Sequence, residues 1–162
     1  ILIQQQLTGE LATLGWLIIA NGLASSLSAP LIGKLADHSS RKVMSVSALV
    51  AAAVGIFTWA YSDQLAAWQF GMYGFVVIFF LITLTHGAVR LGRKVYLVDM
   101  ATADNRAQYV AVSNTVIGVA MLGGGLIGVL ADVFSVQAVI LLLSVIALLA
   151  SVYIWRLPDV SG

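Results

Sequence analysis

Cysteine is absent from the 162 residues, which rules out a disulfide framework and a thiolate metal site. Charge is nearly as scarce. Lys, Arg, Asp and Glu make up 9% of the chain, against roughly a quarter in an ordinary soluble domain. Eight basic and seven acidic side chains cannot give a water-soluble fold of this length its polar surface. Metal-ligand spacings, phosphate-binding glycine loops and nucleic-acid patches are all missing, so no metal, no cofactor and no nucleic-acid partner is expected. No Asp or Glu falls in the middle of an apolar run, so a proton relay through a buried carboxylate has no residue here. A membrane-embedded enzyme would need clustered His, Asp, Glu or Ser/Lys at membrane depth, and His86 is the single candidate there. The chain is not expected to be an enzyme.

What is present is apolar sequence: 60% of the residues are hydrophobic. A membrane-spanning helix takes about 20 mostly apolar residues, and five windows meet that length, at approximately 11–36, 43–61, 66–89, 109–131 and 134–155. The runs are continuous rather than alternating, which points to helices and away from barrel strands. The expected fold class is all-α, a polytopic transmembrane helix bundle of about five spans. Residues 1–6 fit the end of an earlier span, and the opening Ile1-Leu2-Ile3 is expected of a piece of a longer protein. The connections are short: Asp37–Lys42, Ser62–Leu65, and a tight hairpin at Asp132 and Val133. Only Leu91–Gln108 is long enough for structure of its own. Within it, Thr102-Ala103-Asp104-Asn105 offers small polar N-cap candidates ahead of the fourth span.

The charges are sorted by side. With five spans, Lys34, Arg41 and Lys42, then Arg90, Arg93, Lys94 and Arg106, then Arg156 all fall at one face of the membrane. The other face carries only Glu10, Asp63 and Asp132. The positive-inside rule then puts the Asp37–Lys42 turn, the Leu91–Gln108 segment and the C-terminus in the cytoplasm.

The first of these turns reads Gly33-Lys34-Leu35-Ala36-Asp37-His38-Ser39-Ser40-Arg41-Lys42. A glycine permits close helix packing, an acid follows four residues on, and two bases lie across a tight turn. Asp37 is placed to pair with Arg41 or to face the positive N-terminus of another helix. The stretch resembles the G-x-L-A-D-R-x-G-R-K turn of the major facilitator superfamily (MFS), with Gly33, Leu35, Ala36, Asp37, Arg41 and Lys42 matching. His38 stands where the family has a base and Ser40 where it has a glycine. Tyr96-Leu97-Val98-Asp99-Met100 through Asn105-Arg106 is similar to the family's acidic loop before its fifth helix. The resemblance covers the whole chain. It implies a partial MFS transporter half over residues 1–162, holding helices two to six of that half. Trp155-Arg156-Leu157-Pro158-Asp159 suits the C-terminal half, helices 8 to 12, although the N-terminal half can end in the same way. The resemblance further implies a conformational gate made of Gly33, Asp37, Arg41, Lys42, Asp99 and Arg106. The alternative for the turn is a solvated basic loop with no mechanical role. The glycine-proline motif typical of antiporters is not matched at Gly123-Gly124-Gly125.

Polar residues within the runs are the candidates for a substrate cavity. Asn21, Ser25 and Ser28 recur at helical spacing. Gln69 and Tyr73 begin a stripe on the third run, with Phe80 and Thr83, and Asn114 opens a stripe of Gly118, Met121, Gly125 and Gly128 on the fourth. Such stripes serve helix–helix hydrogen bonding as readily as a cavity, and the glycines read as close packing. His86 is a candidate proton shuttle. Arg90 lies about 36 Å along the third run, which reaches the interface, so Arg90, Arg93 and Lys94 are expected to snorkel to headgroups; a cationic mouth for anionic solutes is the alternative.

The resemblance thus implies a fragment of a secondary active transporter, a permease or an efflux carrier, that moves a small solute by alternating access. A non-transporting sensor or assembly protein on the same fold is the alternative. The implied partners are the solute, the bilayer, the remaining half of the transporter and a proton as a coupling ion. The implied location is the bacterial cytoplasmic (inner) membrane.

Overall fold

A computed structural model of the protein describes residues 11–69 and 71–160. The described residues are almost entirely helical: α1 (Leu11–Ala67), α2 (Gly71–Met100), α3 (Arg106–Val133) and α4 (Val136–Trp155). All four are long and apolar enough to cross a membrane.

Helix α1 is continuous by hydrogen bonding except at Ser39, whose backbone is extended (φ −164°, ψ 96°). The neighbours of its two arms show what happens there. Trp16 stacks edge-on against Tyr73, and the side chain of Ser28 lies where a Cβ on Gly87 would meet it. The first arm and α2 therefore run in the same direction. The second arm runs against α2, because Leu65 lies beside Gly74 and Met44 beside Gly92. The two arms are thus antiparallel, and the chain folds back on itself at Ser39. Ser39 acts as the N-cap of the second arm: its Oγ accepts the N–H of Lys42 at 3.4 Å.

The second arm also packs against α4, through small residues. Ala48 and Ala52 are buried, and Ser144 Oγ occupies the space a Cβ on Gly55 would need. Ser45 donates to Ser151 O at 2.9 Å, and Ser151 returns a bond to Ser45 O at 2.8 Å. Reciprocal hydroxyl bonds of this kind satisfy buried polar groups where no water can. Pro30 is accommodated inside the first arm, as membrane helices allow. Helix α3 stands apart. None of its residues is buried, and its tie to the rest is the bond from Arg93 Nη1 to Ser113 Oγ, at 2.7 Å.

Several expected boundaries move. Ser62–Leu65 is helical, and the connection falls later, at Trp68 and Gln69. Residues 91–100 are not a loop: α2 continues to Met100. Basic side chains interrupt the hydropathy there but not the helix, because Gly92 and Tyr96 are buried against the turn at Ser39. Asp132 and Val133 close α3, and the hairpin is made by Phe134 and Ser135. Ser135 caps α4 by accepting the N–H of Ala138 at 3.0 Å. The N-cap expected before the fourth span is present as Asn105, although its side chain makes no capping bond. Residues 1–6 and Glu10 lie outside the described residues.

Candidate functional site

The polar contacts between distant parts of the chain concentrate at one end of the bundle. The Ser39 turn, the last turns of α2 and the segment after α4 meet there. Arg41, 21% exposed, stands at the centre. Its Nη1 donates to the carbonyls of Trp155 at 3.2 Å and Leu157 at 2.9 Å. Its Nη2 meets Asp159 Oδ2 at 3.2 Å, and the guanidinium carbon lies 5.9 Å from the centroid of the Trp155 ring. The planar fork of arginine suits this combination of carbonyls, carboxylate and ring face. Ser39 Oγ donates to the same carboxylate at 3.2 Å, and Tyr96 OH donates to Pro158 O at 3.2 Å. The segment after α4 is therefore strapped to the turn by the Arg41 guanidinium and the Ser39 hydroxyl and to α2 by the Tyr96 hydroxyl.

The arrangement holds rather than reacts. It contains one carboxylate, one guanidinium and neutral donors, and no group of three or more metal-ligating side chains occurs among the described residues. What it can do is make or break a link between three segments.

The other residues of the expected gate do not join this cluster. Arg41 pairs with Asp159, not with Asp37. Asp37, Lys42, Asp99 and Arg106 are exposed, and no hydrogen bond or ion pair joins their side chains to another described residue. Gly33 faces open space. The close approach is made by Gly92 instead: a Cβ there would meet Met44 Cγ at 2.8 Å and Ser40 O at 3.2 Å.

The cavity candidates lie on two neighbouring columns. Asn21 and Ser25 are exposed on the first arm, and Ser28 turns its hydroxyl to Ser25 O at 3.0 Å. On α2, Tyr73, His86 and Arg90 are exposed. The two elements rise together, so Ser28 and His86 lie at nearly the same depth. Gln69 sits in the turn ahead of α2 and does not share a helical stripe with Tyr73. Asn114 is exposed on α3, away from these columns, and Gly118, Gly125 and Gly128 have nothing within 4 Å of a Cβ.

Sequence reasoning missed Asp159, Ser39, Tyr96 and Trp155 as members of the cluster. The one available signal was an acid just after the last basic end, on the side where every base had gathered.

The Major Facilitator Superfamily sequence model matches residues 1–162. No curated protein and no solved structure matches the chain. The described helices are those of an integral membrane protein, and the match runs from the first residue to the last. The chain belongs to the Major Facilitator Superfamily.

Proposed function

We propose that the chain is part of a secondary active transporter that moves a small solute by alternating access, and that its 33–42 turn is a cytoplasmic charge latch. The observation that carries the latch is Arg41, which binds the turn to Asp159 and to two carbonyls at the end of α4. In this state the latch is made through Asp159. Asp37, four residues before Arg41 and exposed, is the second acid available to Arg41 when the turn is rearranged, and Asp99 and Arg106 are assigned to the same gate.

Asn21, Ser25, Ser28, Tyr73, His86 and Arg90 form the wall of the solute pathway in this reading, with Gln69 at its far mouth. Asn114, exposed on α3, is assigned to the same pathway. The placement of Asn21 to Ser28 and Tyr73 to Arg90 on parallel neighbouring elements supports it. The remaining half of the transporter covers the unpartnered α3. The chain is read as the C-terminal half, in the bacterial cytoplasmic membrane, with the turn and its C-terminal segment on the cytoplasmic side.

The test is transport by the full-length protein in proteoliposomes, with radiolabelled sugars, amino acids and cationic dyes as the panel of solutes. Arg41→Gln is expected to lower the rate about tenfold, one decade per roughly 1.4 kcal/mol of lost state preference, while Arg41→Lys retains part of it. Wild-type rates in both Arg41→Gln and Asp159→Asn would remove the latch.

A further inference from the structure

We propose that the groove between the second arm of α1 and α4, at the basic end of the bundle, binds one anionic phospholipid of the surrounding bilayer. The groove encloses about 290 Å³ and is walled by Val46, Leu49, Val152 and Trp155, with Arg156 at its mouth. Ser45 and Ser151 form its floor, but their hydroxyls bond each other at 3.1 Å and offer little to a polar ligand. The walls thus suit a hydrocarbon chain, and the polarity is confined to the mouth.

The charge at that mouth selects the headgroup. Lys42 precedes Ser45, Val46 and Leu49 by three, four and seven residues, so it lies on the groove's face of the helix, one turn toward the end. Lys42 and Arg156 are both exposed, and neither side chain meets an acid among the described residues. Asp159 is engaged by Arg41 and Ser39 and does not neutralise them. Two unpaired cations above an apolar slot, with a tryptophan at the rim, match a phosphate diester carrying acyl chains. The slot opens on an apolar surface of α4 on which Leu149, Val152 and Tyr153 are exposed, so a bilayer lipid enters it sideways. The inference rests on membrane insertion and on these side chains, not on what the carrier moves.

The test is native mass spectrometry of the full-length protein in detergent with added dioleoyl phosphatidylglycerol or dioleoyl phosphatidylcholine. The wild type is expected to retain phosphatidylglycerol about thirtyfold more tightly than phosphatidylcholine, the scale set by two cations near a lipid phosphate at about 1 kcal/mol each. The double variant K42Q/R156Q is expected to lose that preference and K42R/R156K to keep it. Inorganic phosphate is expected not to displace the lipid, because the slot contributes through the acyl chain. Equal retention of the two lipids by the wild type, an undiminished preference in K42Q/R156Q, or displacement by phosphate would each overturn the proposal.

Discussion

At the scale of single residues, Ser39 and Arg41 divide the labour of the turn. Ser39 alone leaves the helical conformation, and that one extended residue reverses a 57-residue helix. Arg41 then fixes the reversal to the end of α4. Its two carbonyl bonds survive removal of the carboxylate, so Arg41→Gln should cost more stability than Asp159→Asn. The coupling between the two side chains should stay below about 1 kcal/mol, because the pair is partly exposed to water. A double-mutant cycle on the thermal unfolding of the full-length protein in detergent reads both numbers. The turn itself was legible from the spacing of Gly33, Asp37, Arg41 and Lys42. Its partner was not: Asp159 lies 118 residues along the chain, and only the packing of α4 on the second arm brings it near.

At the scale of elements, the contrast is between the seam of the second arm with α4 and the isolation of α3. The seam is built on small residues at helical spacing, Ser45, Ala48, Ala52 and Gly55, facing Ser144 and Ser151. Gly55→Leu must push Ser144 aside and should destabilise by about 1–3 kcal/mol, the usual cost of overpacking. The reciprocal serine bonds should show a coupling near 0.6 kcal/mol in a Ser45→Ala, Ser151→Ala cycle, as membrane hydrogen bonds average. Denaturation followed by circular dichroism would measure each; an unchanged stability in Gly55→Leu would mean the seam is looser than described. Gly125 on α3 has open space around it. Gly125→Leu should therefore change stability by no more than about 0.5 kcal/mol, as a substitution on an open surface does; a larger loss would show that α3 packs against a surface outside the described residues.

Element existence was legible from hydropathy, since each apolar window holds most of one described helix or one arm of α1, although the third also spans the break at Trp68 and Gln69. Ends were not. Arg90, Arg93 and Lys94 stop the apolar run, yet α2 continues because its opposite side, through Gly92 and Tyr96, is buried. Hydropathy reads the environment of a segment, whereas helix continuation there depends on what one face touches.

At the scale of the whole molecule, the fold-back at Ser39 decides orientation. The reversal at Ser39 makes each arm of α1 long enough to cross alone: 28 residues rise about 42 Å against a core of roughly 30 Å. The structure brings the Ser39 turn, the end of α2 and the segment after α4 to one end, and all eight basic residues of the sequence belong to these segments or their flanks. That gathering is what the charge pattern anticipated; the residues facing a solute were not legible, because a polar stripe serves helix–helix hydrogen bonding as readily as a cavity.

The most direct measurement is cysteine labelling of the full-length protein at His38 and Asp63, in a stretch that has no cysteine of its own. Both positions are exposed, whereas Ser39 and Ser62 are buried and would shield a thiol. With a membrane-impermeant maleimide, His38→Cys should react only from the cytoplasmic side and Asp63→Cys only from the opposite side. Reaction of both from the same side would contradict the fold-back of α1 across the membrane, and with it the five-span arrangement on which the transporter reading rests.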